Sequence, residues 1–277
     1  MRPSGVPLND SGRLALLRPP ALQGVEILWL SHPGQADAPW FKSQYAFSQC
    51  SPGSVEVVYR GATHRLETGL IGIQGPGELA RALQPRAPSA DCILVLADPG
   101  VLRAAVRSRF HEEAEPQFSQ FLVRDPLLSQ RFSSLIESVE GGEDASKQRT
   151  GWDLLVERIL DHRSHPPRGA ALDGYAVDHV RRYLEANYAQ RVCLDDLARE
   201  AGLSKFHLLR LFHRETGAPP HAFLTSVRVE NARRLIGEGL PLADIAADTG
   251  FSDQSHLTRS FHRVFGVTPG AYLRAMR

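Results

Sequence analysis

The sequence predicts an α+β protein of two domains, β-rich toward its N-terminus and all-helical toward its C-terminus. Three observations predict it. Short apolar runs cut by Gly and Pro occupy residues 25–97. Beyond Pro99 the apolar positions recur at helical spacing. Roughly the last hundred residues contain an internal repeat. The length of 277 residues allows one large domain or two ordinary ones, and 42% hydrophobic with 23% charged residues is a globular mix, not a fibrous or disordered one.

Residues 1–20 carry Pro3, Pro7, Pro19 and Pro20 and read as a flexible arm. Val25–Leu30, Tyr45–Cys50, Ser54–Arg60, Leu70–Gln74 and Cys92–Ala97 read as strands, with alternation visible in Ser54-Val55-Glu56-Val57-Val58-Tyr59. No helix-length segment separates them, which excludes parallel βαβ units and leaves a sandwich or barrel over residues 21–115. Leu102 to Phe110 reads as a helix. Leu127, Leu128, Phe132, Leu135, Ile136 and Val139 form an amphipathic helix that Gly141-Gly142 stops, and Leu154, Leu155, Ile159 and Leu160 form a second. Together they make an αα-hairpin over residues 116–163. Its apolar face serves packing on the β-domain, a dimer seam, or both. Ser164-His165-Pro166-Pro167-Arg168-Gly169 marks a linker over residues 164–172, and residues 173–277 read as helix throughout.

Charge excludes a strongly basic DNA-coating protein, since Lys+Arg 32 against Asp+Glu 31 leaves a net +1. Any nucleic-acid contact must come from local placement of Arg. Cys50, Cys92 and Cys193 make no CxxC, so a disulfide scaffold is not expected and a reducing compartment is. No apolar run approaches the ~20 residues of a membrane span. No apolar segment follows Arg2 as in a secretory signal, so a cytoplasmic location is expected.

The repeat carries the functional signal. Leu194, Asp196, Ala198, Gly202 and Ser204 recur 48 positions later as Leu242, Asp244, Ala246, Gly250 and Ser252. After a one-residue insertion, His207, Leu208, Arg210, Phe212, His213 and Arg214 recur 49 positions later as His256, Leu257, Arg259, Phe261, His262 and Arg263. Gly217, Pro220, Ala222 and Leu224 match Gly266, Pro269, Ala271 and Leu273 in the same register. Each copy has helix-turn-helix chemistry, over residues 194–215 and 242–264. A small residue (Ala198, Ala246) lets two helices cross, a glycine (Gly202, Gly250) takes the turn, and Ser204 and Ser252 are expected to cap the next helix. That helix presents Lys205, Phe206, Leu209, Arg210 and His213 in the first copy, and Gln254, Ser255, Thr258, Arg259 and His262 in the second. Such sets suit a helix lying in a major groove, where Arg reads guanine, Gln reads adenine and Phe206 touches a thymine methyl. Between the copies, Pro219 to Ile236 reads as one helix of roughly 27 Å, near the ~34 Å of a DNA turn.

The blocks Ala198-x3-Gly202-Leu203-Ser204, His207-Leu208-x-Arg210-x-Phe212, Gly217-x2-Pro220, Ile245-Ala246-x3-Gly250-Phe251-Ser252-Asp253 and Phe261-x4-Gly266-x2-Pro269-x2-Tyr272 resemble the AraC/XylS family of bacterial transcription regulators. The resemblance places base-facing positions on Phe206, Arg210, Ser255 and Arg259. It implies a double-stranded DNA operator, contact with RNA polymerase, a homodimer, and no cofactor. The N-terminal half resembles the cupin-like sensor domain of such regulators, which implies an unknown small-molecule effector in the barrel. Trp40, Tyr45, Tyr59 and His64 are candidate pocket residues, with Phe41 and Phe47 beside them. Gln74-Gly75-Pro76-Gly77-Glu78 is similar to a turn those domains place before a histidine, but Leu79 and Ala80 follow here, which disfavours a metal.

Two other readings are a ligand-independent activator and a cupin enzyme fused to a DNA-binding domain. The enzyme lacks support. Gly75-Pro-Gly77-Glu-Leu-Ala80 fits GxGxxA outside any βαβ unit, His111-Glu112-Glu113-Ala114-Glu115 lacks the second imidazole of HExxH, and no GxSxG occurs. Cys50 and Cys92 are candidate oxidant sensors or, more commonly for such residues, inert buried thiols.

Overall fold

A computed structural model describes residues 14–31, 38–83, 90–164 and 172–276. The N-terminal strands are β1 (Leu14–Leu17), β2 (Val25–Leu30), β3 (Trp40–Lys42), β4 (Tyr45–Cys50), β5 (Ser54–Tyr59), β6 (Ala62–Glu67), β7 (Leu70–Gln74), β8 (Glu78–Ala82) and β9 (Cys92–Ala97). Helix α1 (Pro99–Phe110) and a short strand β10 (Leu122–Arg124) follow. One sheet has the order β1-β2-β9-β4-β7-β10 and the other β3-β8-β5-β6, with every pairing antiparallel.

The six-stranded sheet is apolar on both faces, and strand periodicity sorts its side chains. Ile27, Trp29, Tyr45, Phe47, Val95 and Ala97 belong to the core shared with the helical hairpin. Leu28, Ala46, Cys50, Cys92, Leu94 and Leu96 belong to a second core. The hairpin is α2 (Pro126–Glu140) and α3 (Ala145–Leu160). Asp125 caps α2 by accepting from the Leu127 and Leu128 amides at 3.0 and 3.1 Å.

Three sequence expectations change here. Leu14–Leu17 is no loose arm: it pairs with β2 from Leu14↔Leu30 to Leu17↔Ile27, and Leu14, Ala15 and Leu16 enter the core. Residues 1–13 lie outside the described residues, as do 165–171 of the expected linker. The β-domain does not end at 115, because β10 extends its large sheet at Val123↔Ile71. The hairpin leaves little apolar surface for a seam: Leu128, Leu135, Ile136, Leu155 and Ile159 are buried within the chain, and Leu127 and Leu154 remain exposed at 42% and 43%. Strands β1, β3, β6, β8 and β10 escaped the sequence reading because they are short or polar, as in Ala62-Thr63-His64-Arg65-Leu66-Glu67.

The C-terminal helices are α4 (Leu172–Ala186), α5 (Leu194–Glu200), α6 (Lys205–Thr216), α7 (Pro220–Ile236), α8 (Leu242–Asp248), α9 (Gln254–Phe265) and α10 (Pro269–Ala275). The domains share their cores. Val229, Ala232 and Ile236 of α7, with Phe261, Phe265 and Tyr272, join the cluster of the sandwich interior, while Phe41 and Leu79 join the cluster around Phe212 and Phe223. A buried polar network fixes α7 in place. Arg233, 1% exposed, donates to Glu230, Glu26, Gln44 and the Tyr272 hydroxyl. Trp40 Nε1 donates to Glu230 at 3.0 Å, and the Phe41 amide donates to Ser226 Oγ at 3.1 Å. Burial alone raises the Glu26 carboxyl, but Arg233 and Arg18 outweigh it and hold the group below its ordinary range. No described helix is long and apolar enough to cross a membrane.

Candidate nucleic-acid interface

Each repeat folds as two crossing helices: α5 with α6 in the first, α8 with α9 in the second. Ala198 and Ala246 are buried at the crossings. The turn glycines take positive φ, +64° at Gly202 and +78° at Gly250, where any side chain is strained. Helices α6 and α9 end alike, on Gly217 and Gly266 in the left-handed region, whose amides donate to the His213 and His262 carbonyls.

Their starts differ. Ser204 caps α6 by accepting from the His207 amide at 3.3 Å. Ser252 does not cap α9. The inserted residue moves Asp253 into the cap position, where Oδ1 accepts from the His256 amide at 2.7 Å, and Ser252 Oγ donates to Asp253. That amide hydrogen bond, with the one from Ser252, holds the Asp253 carboxyl below its ordinary range.

Phe206, Arg210 and His213 follow one another up one face of α6, and Ser255, Arg259 and His262 up one face of α9; all six are exposed. Lys205 and Gln254 begin the two faces, and half-buried Leu209 and Thr258 flank them. Phe206 is 86% exposed, an expensive position for a phenyl ring unless a partner covers it. Lys205 is engaged within the first unit by an ion pair with Asp195. Beneath these faces Leu208 and Phe212, and Leu257 and Phe261, are fully buried.

The N-terminal domain holds a cavity of about 110 Å³ between its sheets. Trp40, Val55, Val57, Leu66, Leu94 and Phe121 give it apolar walls, and Val264, Phe265 and Gly266 of α9 and its cap complete them. Of the four expected pocket residues, only Trp40 lines it. Tyr45 lies on the opposite face of its strand, in the hairpin-side core, with its hydroxyl donating to the Pro116 carbonyl. Tyr59 and His64 stand behind Phe121, at ring distances of 4.5 and 5.1 Å, and the Tyr59 hydroxyl bonds Glu78. Sequence reasoning missed Lys42. Its Nζ enters the cavity wall, donates to Gln74 Oε1 at 2.7 Å and sits 4.4 Å from the Trp40 ring. Burial lowers the Lys42 amine to about 7 against the opposing pull of Glu230 and Glu78. The readable signal was its parity with Trp40 on one strand. Cys92 also lines the cavity, opposite Cys50 on the neighbouring strand; burial pushes the Cys50 thiol up to about 11, which makes it a poor nucleophile.

Two recognition-type helices in tandem on one strut, with matched exposed faces, are now in view. A family model described as a helix-turn-helix domain matches residues 197–275. The C-terminal region is thus similar to helix-turn-helix domains over both repeats. The chain is 31% identical over 166 residues to the HTH-type transcriptional regulator YbfI of Bacillus subtilis, covering 59% of this chain and 60% of that one. It is 30% identical over 161 residues to the transcriptional activator RhaS of Citrobacter koseri, covering 55% and 56%. The chain thus spans little more than half the length of these relatives, which are transcription regulators by name. Over nearly the whole chain the fold is similar to that of ToxT from Vibrio cholerae. The TM-score is 0.59 at 12% identity to the apo form of a point variant, covering 92% of this chain and 99% of that one. It is 0.57 at 13% identity to the wild-type form bound to an unsaturated fatty acid, covering 95% and 94%.

Proposed function

We propose that the protein is a sequence-specific DNA-binding transcription regulator whose N-terminal cavity takes a small-molecule effector. The carrying observation is the tandem of exposed faces, Phe206 with Arg210 and Ser255 with Arg259, on two helices held by one strut. Helix α7 has 17 residues, a length of about 26 Å, which suits entry of both helices into successive major-groove segments. Helix-turn-helix relatives that regulate transcription support the reading.

The effector reading rests on the apolar cavity with one amine in its wall. Lys42 suits an apolar molecule ending in an anionic or hydrogen-bond-accepting group. The fatty acid bound by ToxT, a protein of similar fold, supports that chemistry. Because Val264 to Gly266 belong to the second helix-turn-helix unit, filling the cavity touches the DNA-binding domain directly.

The protein acts in the cytoplasm as a homodimer and engages RNA polymerase at its operator. The seam runs through Leu127 and Leu154: Arg131, one helical turn from Leu127, donates to the Leu154 carbonyl at 2.6 Å and brings the two surfaces together. Recovery of genomic fragments bound by the purified protein, followed by sequencing and a titration with dodecanoate, tests the reading. A shared motif whose occupancy changes with ligand supports it. Binding without sequence preference overturns the regulator, and a ligand-indifferent motif overturns the effector.

A further inference from the structure

A cleft of about 400 Å³ separates the two domains on the side where both helix-turn-helix units face the β-domain. Its charged and imidazole-bearing lining consists of Arg60, Arg81, His213, His221, His256 and Arg263. No carboxylate is among its lining residues. Arg60 is balanced from outside by Glu78 at 2.6 Å, whereas Arg81 has no ion-pair partner among the described residues. In a chain whose net charge is +1 with histidines counted neutral, three arginines and no carboxylate around one opening depart from that balance.

The lining comes from the β-domain and from both helix-turn-helix units. Arg60 and Arg81 come from the β-domain, His213 from α6, His221 from the strut α7, and His256 and Arg263 from α9. His213 continues the exposed face of Phe206 and Arg210 up to the cleft. Ala38, Ala80, Arg81 and Val264 also line the apolar cavity, so the two openings share a wall. The cleft is nearly four times the larger, and its chemistry is opposite. The domains also approach closely beside it, where a Cβ on Gly61 would meet the Arg214 carbonyl at 3.0 Å.

We propose that this cleft is an oxyanion site for phosphate-type groups that bridges the β-domain to both helix-turn-helix units. Arg81 of the β-domain and Arg263 of α9 supply positive charge, and His213, His221 and His256 supply ring nitrogens for hydrogen bonds. A single carboxylate underuses such a site; pyrophosphate, a phosphorylated metabolite or a run of phosphodiesters matches it. Two sources carry that chemistry: a free multivalent anion, or the backbone of bound DNA passing between the recognition helices. The DNA source rests on the proposed function and makes Arg81, from the β-domain, part of the nucleic-acid interface. The free-anion source does not rest on it.

The test uses the full chain and two variants, Arg81→Gln and His221→Gln, chosen because both residues are exposed. Calorimetric titration with pyrophosphate, without DNA, reads the first source: binding by wild type that weakens about tenfold in each variant assigns a free anion. Affinity for a selected DNA duplex, measured across salt concentrations, reads the second: a salt slope reduced by about one in Arg81→Gln assigns the DNA backbone. If wild type binds DNA specifically, yet pyrophosphate does not bind and both variants keep the wild-type salt slope, the site is overturned. If no DNA binds at all, the proposed function fails while the pyrophosphate arm still decides the site.

Discussion

The two helix-turn-helix units are close in sequence and unlike in surroundings. The first unit packs its core on Phe41 and Leu79 of the β-domain and otherwise closes on itself through Val180, Leu184, Phe212 and Phe223. The second has no separate core: Leu257, Phe261, Phe265 and Tyr272 belong to one cluster with the sandwich interior, and its helix end forms a wall of the cavity. Their turns differ in the same sense. A Cβ on Gly202 would meet open space, whereas one on Gly250 would meet the Ala189 carbonyl at 2.7 Å. Apart from its exposed face, the second unit is thus built against its neighbours, and the first is comparatively free. The shared motif therefore sits in two settings. Both units present an exposed face, and the second also walls the cavity of the β-domain.

Breaking the buried network should disturb this division most. Arg233→Ala leaves Glu230 buried without its cation and Glu26 with Arg18 alone, and should cost about 3–5 kcal/mol in urea unfolding. The two domains should then melt separately, because the strut no longer belongs to both. A single cooperative transition with an unchanged midpoint would show that the network does not hold the domains together.

The turn glycines sharpen the contrast between the units. Gly202→Ala meets only the penalty of a side chain at positive φ, about 1 kcal/mol. Gly250→Ala adds a collision with the Ala189 backbone and should cost clearly more. Parallel denaturation of the two variants checks this, and equal losses would deny that the second unit is the more constrained one.

Much of this was legible in the sequence, for identifiable reasons. The repeat fixed both turns, both glycine stops and the order of core and exposed positions, since local chemistry repeated at constant offset needs no tertiary information. The same offset change from 48 to 49 held the clue that Asp253, not Ser252, would cap α9. The cavity was less legible. Aromatic residues pointed to a pocket, but Tyr45 faces the hairpin because strand parity puts it with Phe47, and parity shows its sense only once both sheets are assembled. The sequence left open which hairpin leucines pack inward, and the structure buries Leu155 fully, so a seam test must use Leu127 and Leu154.

A smaller effect is expected at Lys42, and its pH dependence has a definite sign. The folded protein releases the Lys42 proton near 7, against 10.5 for the unconstrained amine. Below about 7 both states are protonated and the penalty of burying the charge is fully present; between those values the unfolded chain binds the extra proton and stability rises with pH. Lys42→Met should therefore raise the melting midpoint at pH 6, with the gain shrinking as pH approaches 10. A gain independent of pH would mean that improved packing, not relief of a buried charge, produced it.

The central claim is that the two units read DNA as a matched pair. Selection of bound duplexes from a random-sequence pool tests it most directly, with wild type, Arg210→Ala and Arg259→Ala run side by side. Wild type should enrich two short blocks about one helical turn apart. Arg210→Ala should erase sequence preference in one block and Arg259→Ala in the other, each weakening specific binding by about 1–3 kcal/mol and leaving affinity for random DNA nearly unchanged. A single enriched block, or variants that lose specific and random DNA equally, would contradict paired reading.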